Sequence, residues 1–132
     1  MSADYPSMTT AEIRSKFLNF FEVRGLKLYP SSSLVPDDPS LLLANAGMNQ
    51  FKEYYQGKKT MKEIGAISCQ KCVRTNDIDC IGEDGRHLSF FEMLGDFSFG
   101  GVSKEQACAW AFELITKEFK LPLDRLYFTV FT

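Results

Sequence analysis

An apolar run that breaks into glycine-containing polar chain and returns apolar has few ways to fold. Residues 64–99 form such a run. Ile64-Gly65-Ala66-Ile67-Ser68-Cys69 leads into Cys72-Val73-Arg74 with the small and β-branched residues that suit a pleated strand. A polar stretch with Gly82 and Gly85 supplies turn chemistry. Leu88-Ser89-Phe90-Phe91-Glu92-Met93-Leu94 then comes back as an apolar and aromatic strand. The pattern predicts an antiparallel hairpin, with Arg74 near the end of the outgoing strand and Arg86-His87 at the start of the returning one. Cations at both ends of a hairpin loop, beside Phe90, suit a triphosphate with a purine stacked nearby. Judged on residue types alone, two arginines solvating a loop explain the same letters.

On either side of the hairpin the chain is regular. Thr9-x-x-Glu12 is a capping-box pattern. Ile13, Phe17, Phe20, Phe21 and Arg24 follow at helical spacing, and Gly25 is a natural left-handed stop. Leu26–Tyr29 alternates as a short strand ended by Pro30. Leu41–Ala44 is short, continuous and apolar, which predicts a buried strand. Asn49–Tyr55 predicts a short helix closed by Gly57. Ser103-x-x-Gln106 opens a second capped helix running to Lys120, and Leu126–Phe131 predicts a final strand. Met1–Met8 reads as a polar leader.

The 132 residues suffice for one domain with a real core, and the 45% hydrophobic content excludes disorder. Net charge is −2, so composition carries no electrostatic footprint for nucleic acid. No apolar run approaches a membrane span, and the N-terminus lacks the layout of a signal peptide. The four cysteines then read as reduced thiols of a cytoplasmic protein. A rival grouping is Cys69, Cys72, Cys80 and His87 as a Cys3His zinc site in a small zinc-binding domain. Against it, Cys69 and Cys72 fall in a strand-like run, where positions three apart point to opposite faces. No metal ligand is assigned.

Arg74-x-x-Asp77, a loop, then Arg86-x-x-x-Phe90 resembles motif 2 of the class II aminoacyl-tRNA synthetases. RHLSFFEMLGDFSFG, following QKCVR, is similar to the alanyl-tRNA synthetase family in particular. SSSLVPDDPSLLLANAGMNQFK at 31–52 and TAEIRSKFLNFFEVRG at 10–25 agree, so the resemblance covers nearly the whole chain. It implies an α+β fold, an antiparallel sheet with flanking helices. Residues 1–132 would be a single domain, the N-terminal part of the aminoacylation domain, with motif 1 ending at Pro36. Motif 3 and the tRNA-recognition and editing modules have no counterpart here, and the family's zinc belongs to that downstream region. The ending in a strand then reads as that of a fragment.

The chemistry implied by the resemblance is ATP-dependent activation of alanine, with Mg²⁺ bridging phosphate oxygens, and transfer to tRNA(Ala) in the full-length enzyme. Arg74 would grip the α-phosphate and the alanine carboxylate. Arg86 would meet the γ-phosphate, His87 would be a loop-edge phosphate contact, and Phe90 would stack on adenine. Met48, in the Asn45-Ala46-Gly47-Met48 segment, is a candidate wall of the amino-acid pocket, or else core filler. Self-association would run through motif 1 or an exposed sheet edge. Two departures bear on the site: the loop after Arg74 lacks the lysine and histidine of the longer family version, and Leu88 stands where relatives often carry a second histidine. A non-catalytic relative that kept the fold as an interaction module is the alternative.

Overall fold

The computed structural model describes residues 7–76 and 78–131. Most of the polar leader, and Asp77 of the Arg-x-x-Asp pattern, lie outside the described residues. Helix α1 (Thr10–Glu22) starts where the sequence places a capping box. The Thr9 hydroxyl accepts from the Glu12 N–H, while the Glu12 carboxylate accepts from the Thr9 N–H at 2.7 Å. That backbone donor is the main reason the Glu12 carboxyl is held below its usual range. Gly25, at φ +91°, ends the helix in a conformation that few other residues adopt cheaply.

Strand β1 (Lys27–Leu28) follows at once, β2 is Gly65–Val73 and β3 is Phe90–Ser98. The sheet order is β1-β2-β3. β2 and β3 form the expected antiparallel hairpin, paired nine for nine from Gly65↔Ser98 to Val73↔Phe90. β1 instead runs parallel to β2, with Leu28 opposite Ile67, and the Tyr29 N–H donates to the Ile67 carbonyl. The sheet is therefore mixed within an α+β fold. A parallel pair needs a crossover connection, and the chain between Tyr29 and Ile64 provides one.

Alternation gives the sheet two distinct faces. Ile67 points to the α1 side and joins Phe17, Phe20, Phe21, Leu26 and Leu114 in one core cluster. Phe21 meets Phe17 and Phe20 at 5.0 Å and Trp110 at 6.3 Å between ring centres, in tilted or edge-on arrangements favoured by ring quadrupoles. Burying each such side chain stabilises the fold by roughly 1.5–3 kcal/mol. The other face is covered by a 3₁₀ turn (Asn49–Phe51) and by α2 (Lys52–Tyr55). Phe51, 1% exposed, packs there on Tyr29, Phe97 and Phe99. Gly57, at φ +69°, follows the helix as expected.

Helix α3 (Lys104–Glu113) is capped by Ser103, whose hydroxyl accepts from the Gln106 N–H. It does not continue as α-helix to Lys120. Leu114–Glu118 widens into a π-helical turn, and Lys120 stops it at φ +54°. Arg24 fastens α3 to α1, donating to Glu113 at 2.9 Å and to its own Phe20 carbonyl at 2.7 Å.

Two predicted strands are absent among the described residues. Leu41–Ala44 is a chain of bends in which Ala44 alone is buried and Leu42 is 88% exposed. A turn at Pro39 and the bond from the Ala44 N–H to the Leu34 carbonyl hold it at single points and give it no ladder. Leu126–Phe131 has the residues of a strand but no neighbour to pair with, since the ladder ends at β3.

Candidate active site at the hairpin mouth

Position along β2 decides what Arg74 can do. Its N–H donates to the Ser89 carbonyl, so it extends the β2–β3 ladder by one rung and lies on the same face as Cys72 and Phe91. The Arg74 Nε donates to the Asn45 carbonyl at 3.0 Å, and the guanidinium lies 5.3 Å from the centre of the Phe91 ring. Among the described residues no carboxylate pairs with it, so its terminal nitrogens remain for an anion. A planar fork braced at Nε is suited to bidentate capture of carboxylate or phosphate oxygens.

Asn45 is itself fixed. The Asn49 side-chain oxygen accepts from the N–H groups of Asn45 and Ala46 at 3.2 and 2.7 Å. The Val73 N–H donates to the Ala44 carbonyl, closing this segment over the end of β2. Gly47 then lies flat on the sheet. A Cβ there would stand 3.2 Å from Phe97, 3.7 Å from Gln70 and 3.8 Å from the Met93 sulfur. Met48, half exposed, follows it on the open side of the turn.

Gln70 is the hidden member of the arrangement. Fully buried, its side-chain oxygen accepts from the Ser32 N–H at 2.8 Å, the Ser32 hydroxyl at 3.1 Å and the Gln50 amide at 3.1 Å. Its amide nitrogen donates to the carbonyls of Ser32 and Lys71. One side chain thus joins the Ser31–Ser33 stretch, the Asn49–Phe51 turn and the central strand. A glutamine amid small apolar residues in mid-strand was the sequence signal for it.

The other predicted residues are spread more widely. Phe90 pairs with Val73 on the α1 face, opposite to Arg74, and with Ile13, Leu88 and Leu94 lines an apolar hollow of about 470 Å³. Phe91, one residue on, is the ring on the Arg74 side. Arg86 and His87 sit in the exposed loop. Both backbone N–H groups donate to one Asp84 oxygen, at 2.8 and 3.0 Å, and the His87 Nδ1 meets the other at 2.6 Å. The His87 and then the Arg86 backbone donors lower the Asp84 pKa to about 2. Asp84 thereby folds the loop so that both basic residues follow one turn.

The zinc grouping does not assemble. Cys69 lies on the α1 face near Arg14 and Glu92, Cys72 is buried on the opposite face, and Cys80 and His87 are exposed on the loop. Among the described residues no three His, Cys, Asp or Glu side chains cluster as metal ligands. Burial pushes the Cys69 and Cys72 thiols up, which keeps them protonated. A larger cleft of about 700 Å³ lies between residues 32–39 and 49–59 and touches none of the predicted site residues. Of its three lysines, Lys52 and Lys59 are paired with Asp38 and Glu53, and Lys58 also lines it.

The hairpin thus presents a braced arginine and a ring on one face, held by a turn docked from the 31–51 region. Residues 12–132 match the family described as "tRNA synthetases class II (A)", and the chain belongs to it. Within that class its relatives are alanine–tRNA ligases. The chain is 56% identical over 119 residues to the chloroplastic/mitochondrial alanine–tRNA ligase of Sorghum bicolor, covering 90% of this chain and 12% of that protein. It is 51% identical over 131 residues to the alanine–tRNA ligase of Synechocystis sp., covering 99% of this chain and 15% of that protein. With that of Pseudothermotoga lettingae it shares 52% identity over 124 residues, or 94% and 14%. The chain thus spans roughly an eighth of the length of the relatives it matches. Among the described residues no helix is long and apolar enough to cross a membrane.

Proposed function

We propose that this chain supplies the ATP- and alanine-gripping hairpin of an alanine–tRNA ligase. In this reading an alanine carboxylate oxygen attacks the α-phosphorus of ATP, the bond to the bridging oxygen breaks, and pyrophosphate leaves with alanyl-adenylate formed. The alanyl group then passes to tRNA(Ala) in the longer protein, in the cytoplasm or, as the names of the plant relatives suggest, an organelle. Mg²⁺ enters as part of the ATP·Mg²⁺ substrate, since the described residues offer no ligand cluster of their own. Little covalent chemistry is asked of the protein, so positioning and charge stabilisation dominate.

The observation that carries this reading is Arg74, braced by the Asn45 carbonyl against Phe91, with no carboxylate paired to its terminal nitrogens among the described residues. One planar fork there can bridge the attacking carboxylate and the α-phosphate, which brings the reactants into line. Phe91, on the same face, is the ring best placed to carry adenine. Arg86 and His87, gathered by Asp84, would meet the outer phosphates across the loop. Gly47 and Met48 would border the small pocket for the alanine methyl, Gly47 by keeping the sheet surface flat. Calorimetry of ATP·Mg²⁺ binding, on this chain and on Arg74→Ala, tests the reading. Binding that vanishes with Arg74, followed by alanine-dependent pyrophosphate exchange, is the expected result. Equal binding by both proteins would overturn the assignment of Arg74.

A further inference from the structure

The turn that braces Arg74 is tied to β2 at two points, by the Ala44 carbonyl on the Val73 N–H and the Asn45 carbonyl on the Arg74 Nε. Its tie to β3 is of another kind. Gly47 is buried, and among the described residues its N–H finds one partner, the Met93 Sδ at 3.2 Å. A buried main-chain donor is rarely left without an acceptor, and a thioether sulfur, though weak, can serve as one. Glycine permits the approach, since a Cβ there would stand 3.2 Å from Phe97 and 3.8 Å from the sulfur itself. Met93 pairs with Gln70 across the hairpin and shares a face with Phe91. One strand therefore carries both the ring beside Arg74 and the sulfur under the turn.

Packing alone does not call for sulfur at this position. Leucine fills nearly the same space as methionine and replaces it at little cost in most cores, but it accepts no hydrogen bond. What methionine adds is an attachment of the turn to the strand opposite the other two. With it the turn is bonded to both strands of the hairpin. Without it, among the described residues, the hydrogen bonds of Asn45–Met48 to the sheet run to β2 alone, and the turn can tilt about the Val73–Arg74 end. Given the role assigned above to Arg74, we propose that Met93 is a positioning residue of the adenylation site. Through the Gly47 N–H it sets where the Asn45 carbonyl stands, and hence how the Arg74 fork meets its anions.

Met93→Leu tests this by heteronuclear NMR, read at the Gly47 amide and the Arg74 Nε–H, with ATP·Mg²⁺ calorimetry on the same samples. Faster exchange at the Gly47 amide and a shifted Arg74 Nε–H resonance are expected, under an unchanged circular dichroism spectrum. ATP·Mg²⁺ binding should weaken by about 2- to 10-fold, the range of one ordinary hydrogen bond. A lost packing contact alone does not reach the Arg74 Nε–H, whose partner is the Asn45 carbonyl. A Gly47 amide indifferent to the substitution overturns the proposal. So does a released Gly47 amide that leaves the Arg74 Nε–H unmoved, or equal ATP·Mg²⁺ affinity in two proteins that both bind it. If the unaltered chain binds no ATP·Mg²⁺, the nucleotide site fails separately, and the two NMR signals still decide the role of Met93. The unaltered protein also supplies a check that needs no variant: its Gly47 amide must exchange slowly, and exchange at the rate of an open loop overturns the proposal.

Discussion

The Arg74 guanidinium lies 5.3 Å from the centre of the Phe91 ring, while Phe90 occupies the opposite face of the same strand. Adjacent phenylalanines in a strand cannot share a face, so one can accompany the arginine and the other cannot. On the reading proposed above, Phe91→Ala should weaken ATP·Mg²⁺ binding by about 5- to 100-fold, the range of losing one base–ring stack. Phe90→Ala should leave affinity nearly unchanged and slightly lower stability, by opening the hollow it lines with Ile13 and Leu94. Calorimetry on the two variants separates them; the reverse order of losses would return the adenine platform to Phe90.

Gln70 joins three segments through five hydrogen bonds from one buried amide. Gln70→Ala leaves the Ser32 N–H and carbonyl short of partners inside the protein, so urea unfolding should show a loss of about 2–4 kcal/mol. Gln70→Glu should also destabilise, because the carboxylate cannot donate to the carbonyls of Ser32 and Lys71. Stability unchanged in both variants would mean that the segments dock by apolar packing alone.

The sequence made the hairpin, α1 and the short helix near Asn49 legible because each rests on local signals: alternation, a capping box, a glycine stop. The side of the sheet on which a residue lies was less legible. Arg86 and Phe90 share strand parity in the letters, but parity with Arg74 depends on the pairing register across a loop whose length does not fix it. The Arg74–Ser89 rung supplies that register. Leu41–Ala44 and Leu126–Phe131 show the other limit. Both have strand-like residues, yet a strand exists only where a neighbour completes its ladder, and that neighbour is set by the whole fold. Gln70 escaped because its partners lie 20 and 38 residues away in sequence.

Asp84 titrates far below the ordinary carboxylate range, at about 2, because the His87 and Arg86 backbone N–H groups and then the His87 ring bond to its charged form. A carboxyl with a lowered folded pKa stabilises the fold fully above its unfolded pKa of about 4 and loses that contribution as pH falls through the folded value. The loop should therefore keep its shape at pH 5 and above and loosen between about pH 4 and 2. Carbon-13 carboxyl shifts of Asp84, followed with the amide shifts of Arg86 and His87, would show the three moving together. Asp84→Ala, which removes the acceptor, should release both amides at neutral pH; unchanged amide shifts would disconnect them from the carboxylate.

Gly65 opens β2 where main chains come closest. A Cβ added there would stand 2.4 Å from the Phe97 carbonyl oxygen and 3.3 Å from Leu26 Cγ. A backbone oxygen in a ladder cannot rotate away as a side chain can, so Gly65→Ala should force the strands apart and cost about 1–3 kcal/mol. Gly47→Ala meets a side-chain ring edge rather than main chain, Phe97 Cζ at 3.2 Å, and should cost less. If urea unfolding ranks the two the other way, the hairpin yields more easily than the Asn45–Met48 turn, and the rigid element that positions Arg74 is the turn.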